Sequence, residues 1–200
     1  MNISTIDKEK IINKHGRFGF TVIELILAIS LFAVIIILVG SMYSLAQQSY
    51  NKGAAKNEMV QNARVSLDRI TRELRQSVAV VTALPTAPND PEDPAPSEIL
   101  FQDGHDIGQA VYLRYYLDGT NLKRSKIAYY FSEEPDIYVT YDSIDQFSNP
   151  PDELLLEDRI VGEYFSRLAF WNSDNVINIS IGLAKGADTF NIETGVFSRN

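Results

Sequence analysis

Cysteine is absent from the 200 residues, so no disulfide staples the fold and no thiol does chemistry. Histidine is nearly absent: His15 and His105 are the two. A zinc or iron centre would have to draw nearly all of its ligands from carboxylates, which is unusual for those metals. Basic residues are in deficit, 18 Lys and Arg against 26 Asp and Glu, for a net charge of −8. The deficit is uneven. In residues 1–19 Lys8, Lys10, Lys14 and Arg17 outnumber Asp7 and Glu9 by two, so the rest of the chain carries −10. An acidic body with a basic head argues against a nucleic-acid binder. It suits a membrane protein whose head stays in the cytoplasm.

Catalytic motifs are missing too. "GHDIGQ" lacks the strand–helix context and the Lys-Ser/Thr of a phosphate loop. No serine sits in a Gly-rich elbow, and there is no HExxH or CxxC. His105 lies between Asp103 and Asp106, where a solvated turn is the ordinary reading and a metal site the exotic one. Asp90, Glu92 and Asp93 lack the EF-hand spacing and its glycine. Trp171 and the tyrosines read as core and sheet-face residues in preference to a ligand-stacking platform. The expectation is a protein that is not an enzyme and needs no cofactor or metal. No internal repeat is present.

What the sequence does have is one long apolar run. Phe20–Gly40 holds a single ionisable group, Glu24. As a helix it spans ~30 Å, the thickness of a bilayer core. The positive-inside rule places Met1–Gly19 in the cytoplasm and the body outside. A removable signal peptide would want a shorter run and a small-residue cleavage site, for which Ser44-Leu45-Ala46 is the candidate. A plain uncleaved anchor explains the length but not Glu24, since a carboxylate is costly in a membrane helix and is by default a functional residue with a partner. A cut after Gly19 would supply one. Phe20 would gain an α-amino group, and Phe20 and Glu24 are i and i+4, on one helix face. The amine and the carboxylate would then neutralise each other, within a chain or between neighbours.

The stretch "GRFGFTVIELILAISLF" resembles the type IV prepilin leader. A basic leader ends in glycine, and an aromatic residue, a threonine and a glutamate stand first, second and fifth after that glycine. The likeness covers roughly Lys14 to Leu38. It implies that a membrane prepilin peptidase cuts after Gly19 and methylates the new amine of Phe20, and that Glu24 is the assembly residue. It also implies partners: other pilin or pseudopilin subunits, an inner-membrane assembly platform and the lipid bilayer. "NARVSLDRITRELRQS" is similar to the post-membrane helix of J-type minor pseudopilins of type II secretion and of W-type minor pilins. The "YYLDGTNLKRS" hairpin and the closing "SRN" resemble the J-type family more loosely. The resemblance implies a structural subunit of a pseudopilus or type IV pilus. The alternative is a single-pass anchored extracytoplasmic binding or sensor protein.

The rest of the chain divides by pattern. Residues 41–84 continue the helix in amphipathic form. Val60, Ala63, Leu67, Ile70, Leu74, Ser77 and Val81 make a heptad stripe, read as the face that packs on the protein's own sheet. One helix from Phe20 to about Val81 is expected, with Gly53 a candidate bend. Arg64–Asp68, Asp68–Arg72 and Arg69–Glu73 read as solvated i,i+4 pairs. Residues 85–97, "PTAPNDPEDPAPS", hold five of the eight prolines and read as an exposed, semi-rigid connector. From 98 to 200 the period becomes that of strands: Glu98–Gln102, Ala110–Leu117, Leu122–Phe131, Ile137–Tyr141, Tyr164–Trp171, Val176–Leu183 and Thr189–Val196, with Leu154–Ile160 ambiguous. "DGTN" between the second and third predicts a hairpin, across which the tyrosines can pair. The expected fold class is α+β: a long N-terminal helix packed on a C-terminal antiparallel sheet.

Overall fold

The computed structural model describes residues 19–105 and 108–197. The basic residues of the leader, Asp106 and the closing "SRN" lie outside the described residues. Contacts divide the chain into two units, residues 1–49 and 50–200. In the first, the described chain is helical from Val22 onward and exposed throughout. Helix α1 runs Val22–Gln76 and is unbroken at Gly53.

The second unit has the α+β layout. Eight strands follow α1: β1 (Ile99–Gln102), β2 (Val111–Asp118), β3 (Asn121–Phe131), β4 (Glu134–Val139), β5 (Asp152–Gly162), β6 (Phe165–Ser173), β7 (Val176–Lys185) and β8 (Asp188–Phe197). One sheet has the order β1-β2-β3-β4, with β5 also on β3; the other is β6-β7-β8. All pairings are antiparallel. The ambiguous Leu154–Ile160 stretch is thus strand, the longest partner of β3.

Turn chemistry sets the register. Asp118 faces Asn121 across the β2–β3 turn, with Gly119 at φ 61°, a left-handed value that glycine adopts without strain. The β6–β7 turn uses Asp174 and Asn175, φ 53° and 64°, two of the residue types that tolerate this region best.

The core joins the helix to both sheets. Met59, Ala63, Leu67, Ile70 and Leu74 pack with Phe101, Tyr115 and Leu122 of the first sheet and with Phe165, Phe170 and Ile179 of the second. Each such aliphatic or aromatic side chain contributes roughly 1.5–3 kcal/mol by leaving water. Gly162 permits the close approach of β5 to the helix: a Cβ there would lie 2.5 Å from the Phe165 ring and 2.7 Å from Ser66 Oγ.

The helix ends at Gln76, about a turn earlier than the stripe predicts. Residues 77–82, "SVAVVT", are rich in β-branched side chains, which favour extended backbone. They line the edge of β1 instead: Val78 N–H donates to Gln102 C=O (3.1 Å), Gln102 N–H to Ala79 C=O (2.8 Å) and Val81 N–H to Leu100 C=O (2.8 Å). The connector at 85–97 has a similar task. Asn172 N–H donates to Pro85 C=O (2.8 Å) and Phe170 N–H to Pro96 C=O (3.1 Å), so the two ends of the proline segment cover the edge of β6.

The reading of the helix charges as solvated holds for Arg72–Asp68 (3.7 Å) and is corrected at Glu73. Arg64 and Asp68 form no ion pair with each other. Glu73 Oε2 accepts from Tyr115 Oη (2.6 Å) and Arg124 Nε (3.0 Å), while Oε1 meets Arg69 Nε at 3.5 Å. Only about a tenth of the Glu73 and Arg124 side chains stays exposed. On the opposite face of the sheet Tyr112 meets Tyr129 and Tyr141 edge-on, at 5.3 and 5.9 Å between ring centres. Its Oη accepts the Tyr141 N–H at 3.1 Å.

Candidate functional site

Gly19, Phe20 and Glu24 all lie in the first unit. Gly19, Phe20 and Thr21 precede the helix, and Leu25 N–H makes an intrahelical bond to Thr21 C=O (3.2 Å). Thr21 is therefore the N-cap residue, and Glu24 stands three positions into the helix. Glu24 Oε2 accepts from Thr21 N–H (2.9 Å) and Thr21 Oγ1 (3.0 Å), and Glu24 N–H donates to Thr21 Oγ1 (3.3 Å). This is a capping box, in which cap and glutamate satisfy each other's unpaired amides.

The expected facing of Phe20 and Glu24 fails for a geometric reason. An i,i+4 pair shares a face only inside a helix. Phe20 lies one residue outside the cap, 86 % exposed, and the backbone nitrogen that Glu24 reaches is that of Thr21. The sequence signal for the box, a threonine with a glutamate three residues on before an apolar run, is present in "TVIE". The helix dipole favours the same placement, with a carboxylate in the first turn.

From there α1 is long and apolar enough to cross a membrane, and none of its most apolar stretch is buried in protein. Two serines in and just after that stretch are satisfied locally. Ser30 Oγ donates to Leu27 C=O and Ser41 Oγ to Leu38 C=O, both at 2.8 Å. Such back-bonding removes the cost of bare hydroxyls in hydrocarbon.

Chemistry elsewhere is sparse. Among the described residues no three His, Cys, Asp or Glu side chains gather as metal ligands. His105 Nδ1 sits 2.6 Å from Asp103 Oδ1, and Asp106 lies outside the described residues. Asp90 Oδ1 accepts the Glu92 N–H, an ordinary turn. Trp171 is buried in the second sheet. A cleft of 290 Å³ opens between Phe131, Glu133, Glu134, Asp145, Gln146 and Phe147. Its lining holds no nucleophile beside a base.

Comparison of the chain with protein-family models, curated proteins and solved structures finds no match.

Proposed function

We propose that this chain is a minor pilin or pseudopilin, a structural subunit of a type II secretion pseudopilus or a type IV pilus. It is made as a single-pass precursor in the bacterial inner membrane, with the C-terminal domain outside the cytoplasm. Prepilin peptidase cuts between Gly19 and Phe20 and methylates the Phe20 amine, and the apolar helix then joins subunits. It is a substrate of an enzyme, not an enzyme.

One observation supports this reading above the others. A glycine, an aromatic residue and a glutamate stand at prepilin spacing before an apolar helix that the protein itself leaves bare. The capping box adds a physical reason for the spacing. It stops the helix at Val22, so a peptidase acting on the Gly19–Phe20 bond would meet non-helical backbone. Once cut, the new amine is one residue from the nitrogen that the carboxylate already holds. Glu24 can then take either its own amine or that of a neighbouring chain.

Intact-mass measurement on protein from its native membranes tests the proposal. A chain beginning at methylated Phe20 is expected, and Gly19→Ala should leave the full-length precursor. A mature protein beginning at Met1 would overturn the reading in favour of a permanently anchored binding or sensor protein. Glu24→Ala should still be cleaved yet enter filaments poorly.

A further inference from the structure

Charge is unevenly placed within the second unit. Residues 50–76, the part of α1 that belongs to it, hold six basic and three acidic residues; residues 77–200 hold eight and twenty. The helix is basic and the body beside it is acidic.

On the side of the helix away from the core the cations line up. Arg64, Asp68 and Arg72 follow at steps of four and Arg75 at a step of three, so they share one face. All four are exposed, and Val65 beside them is 59 % exposed. Asp68 answers Arg72 alone. Arg64 and Arg75 form no ion pair among the described residues.

Unpaired charge of the other sign stands where β3 turns into β4. Glu133 and Glu134 line the cleft there together with Phe131 and Phe147. Neither glutamate forms an ion pair among the described residues, and Phe147 is 69 % exposed. A guanidinium suits such a lining twice over: its planar fork meets carboxylates, and its face lies on a phenyl ring.

The two surfaces lie at different levels. β3 runs alongside the docked helix in the same direction. Near its start, Ser66 Oγ donates to Val161 C=O, next to Gly162, the partner of Leu122. Further on, Val78 N–H donates to Gln102, which pairs with Tyr112 and through it with Ile127. β3 then continues four residues to Phe131, about 13 Å of strand. The cleft thus lies beyond the helix end. Copies that point the same way bring stripe and cleft together only when one is displaced along the helix. Such a contact is head-to-tail, and it leaves each end copy a free surface for the next.

We propose that the arginine face of the docked helix is an interface for a second copy of this chain, whose Phe131–Phe147 cleft receives it. Charge selects this occupant, since every copy carries both the unpaired cations and the unpaired acids that answer them. Val65 gives the face an apolar point for Phe147. The contact does not depend on cleavage after Gly19, so its test and the intact-mass test fail separately.

Sedimentation of the full chain in detergent micelles provides the test. The parent should associate as its concentration rises, and added salt should weaken the association. Arg64→Glu with Arg75→Glu in one chain, and Glu133→Arg with Glu134→Arg in another, change exposed positions only and leave the core intact. Each variant alone should associate about tenfold more weakly, because like charges then meet. An equimolar mixture of the two should recover the parent's affinity, because every helix then finds a cleft of opposite charge. A parent that stays monomeric in low salt would overturn the proposal. So would association indifferent to both variants, as contacts through the apolar helix alone would give, or a mixture no stronger than its components.

Discussion

Glu73 collects donors from its own helix and from two strands, and Tyr115 is the most telling of them. Burial, then the hydrogen bond to the Glu73 carboxylate, push the Tyr115 phenol well above the usual tyrosine range. Burial also raises Tyr112 and Tyr129. In the unfolded chain a tyrosine loses its proton near pH 10. A raised folded value therefore contributes stability that is whole below about pH 10 and is lost as pH climbs towards the folded value. Stability from denaturant melts should fall across this alkaline range, and the fall should be shallower in Tyr115→Phe. An identical slope in that variant would mean that Tyr115 carries none of the loss. This site was half legible in the sequence. The "DGTN" turn sets Tyr115 opposite Arg124, on a face that the helix buries. A guanidinium there needs an acid, yet nothing in the helix pattern distinguishes Glu73 from its solvated neighbours. Glu24 was legible in a different way. Its cost in an apolar run was plain, while the hydrogen bonds it makes to Thr21, three residues back, belong to a local motif that the helical spacing does not reveal.

At the scale of elements, most strands followed their sequence signals because alternation and turn residues act locally; β4 is the exception, running Glu134–Val139 where Ile137–Tyr141 was expected, since its pairing starts directly at the tight turn from Phe131. β2 and β3 need only their own residues and a glycine to find register. The end of α1 did not follow, since periodicity persists through Ser77 and Val81 while the backbone is taken up by β1. A tertiary partner decided that boundary. β5 was ambiguous because "ELLLEDRI" alternates poorly; two register shifts against β3 account for the broken pattern. Where β5 ends, Gly162 makes the helix contact possible. Gly162→Ala should lower stability by about 1–3 kcal/mol, since the added methyl must displace both the Phe165 ring and Ser66. Chemical denaturation would show it, and a variant as stable as the parent would mean that the ring moves freely.

For the whole molecule, the change from helical to strand periodicity foretold the α+β layout, composition the acidic body, and the apolar run the helix fit to cross a membrane. The task of the proline segment was not legible. Edge protection depends on where β6 lies, and no local pattern encodes that. The first unit should hold the protein in the membrane pellet through an alkaline carbonate wash; release into the supernatant would mean that the helix does not span. The proline segment carries one consequence for the molecule at large. A sheet grows like a polymer: each added strand must offer donors as well as acceptors to the next. Pro85 and Pro96 accept from β6 with their carbonyls and, as prolines, have no N–H to give back to it, so their segment covers that edge without extending the ladder. They act as chain terminators at that flank. The second sheet can grow there only if the segment peels away, so any fibre-like stacking of this protein would have to begin at another edge.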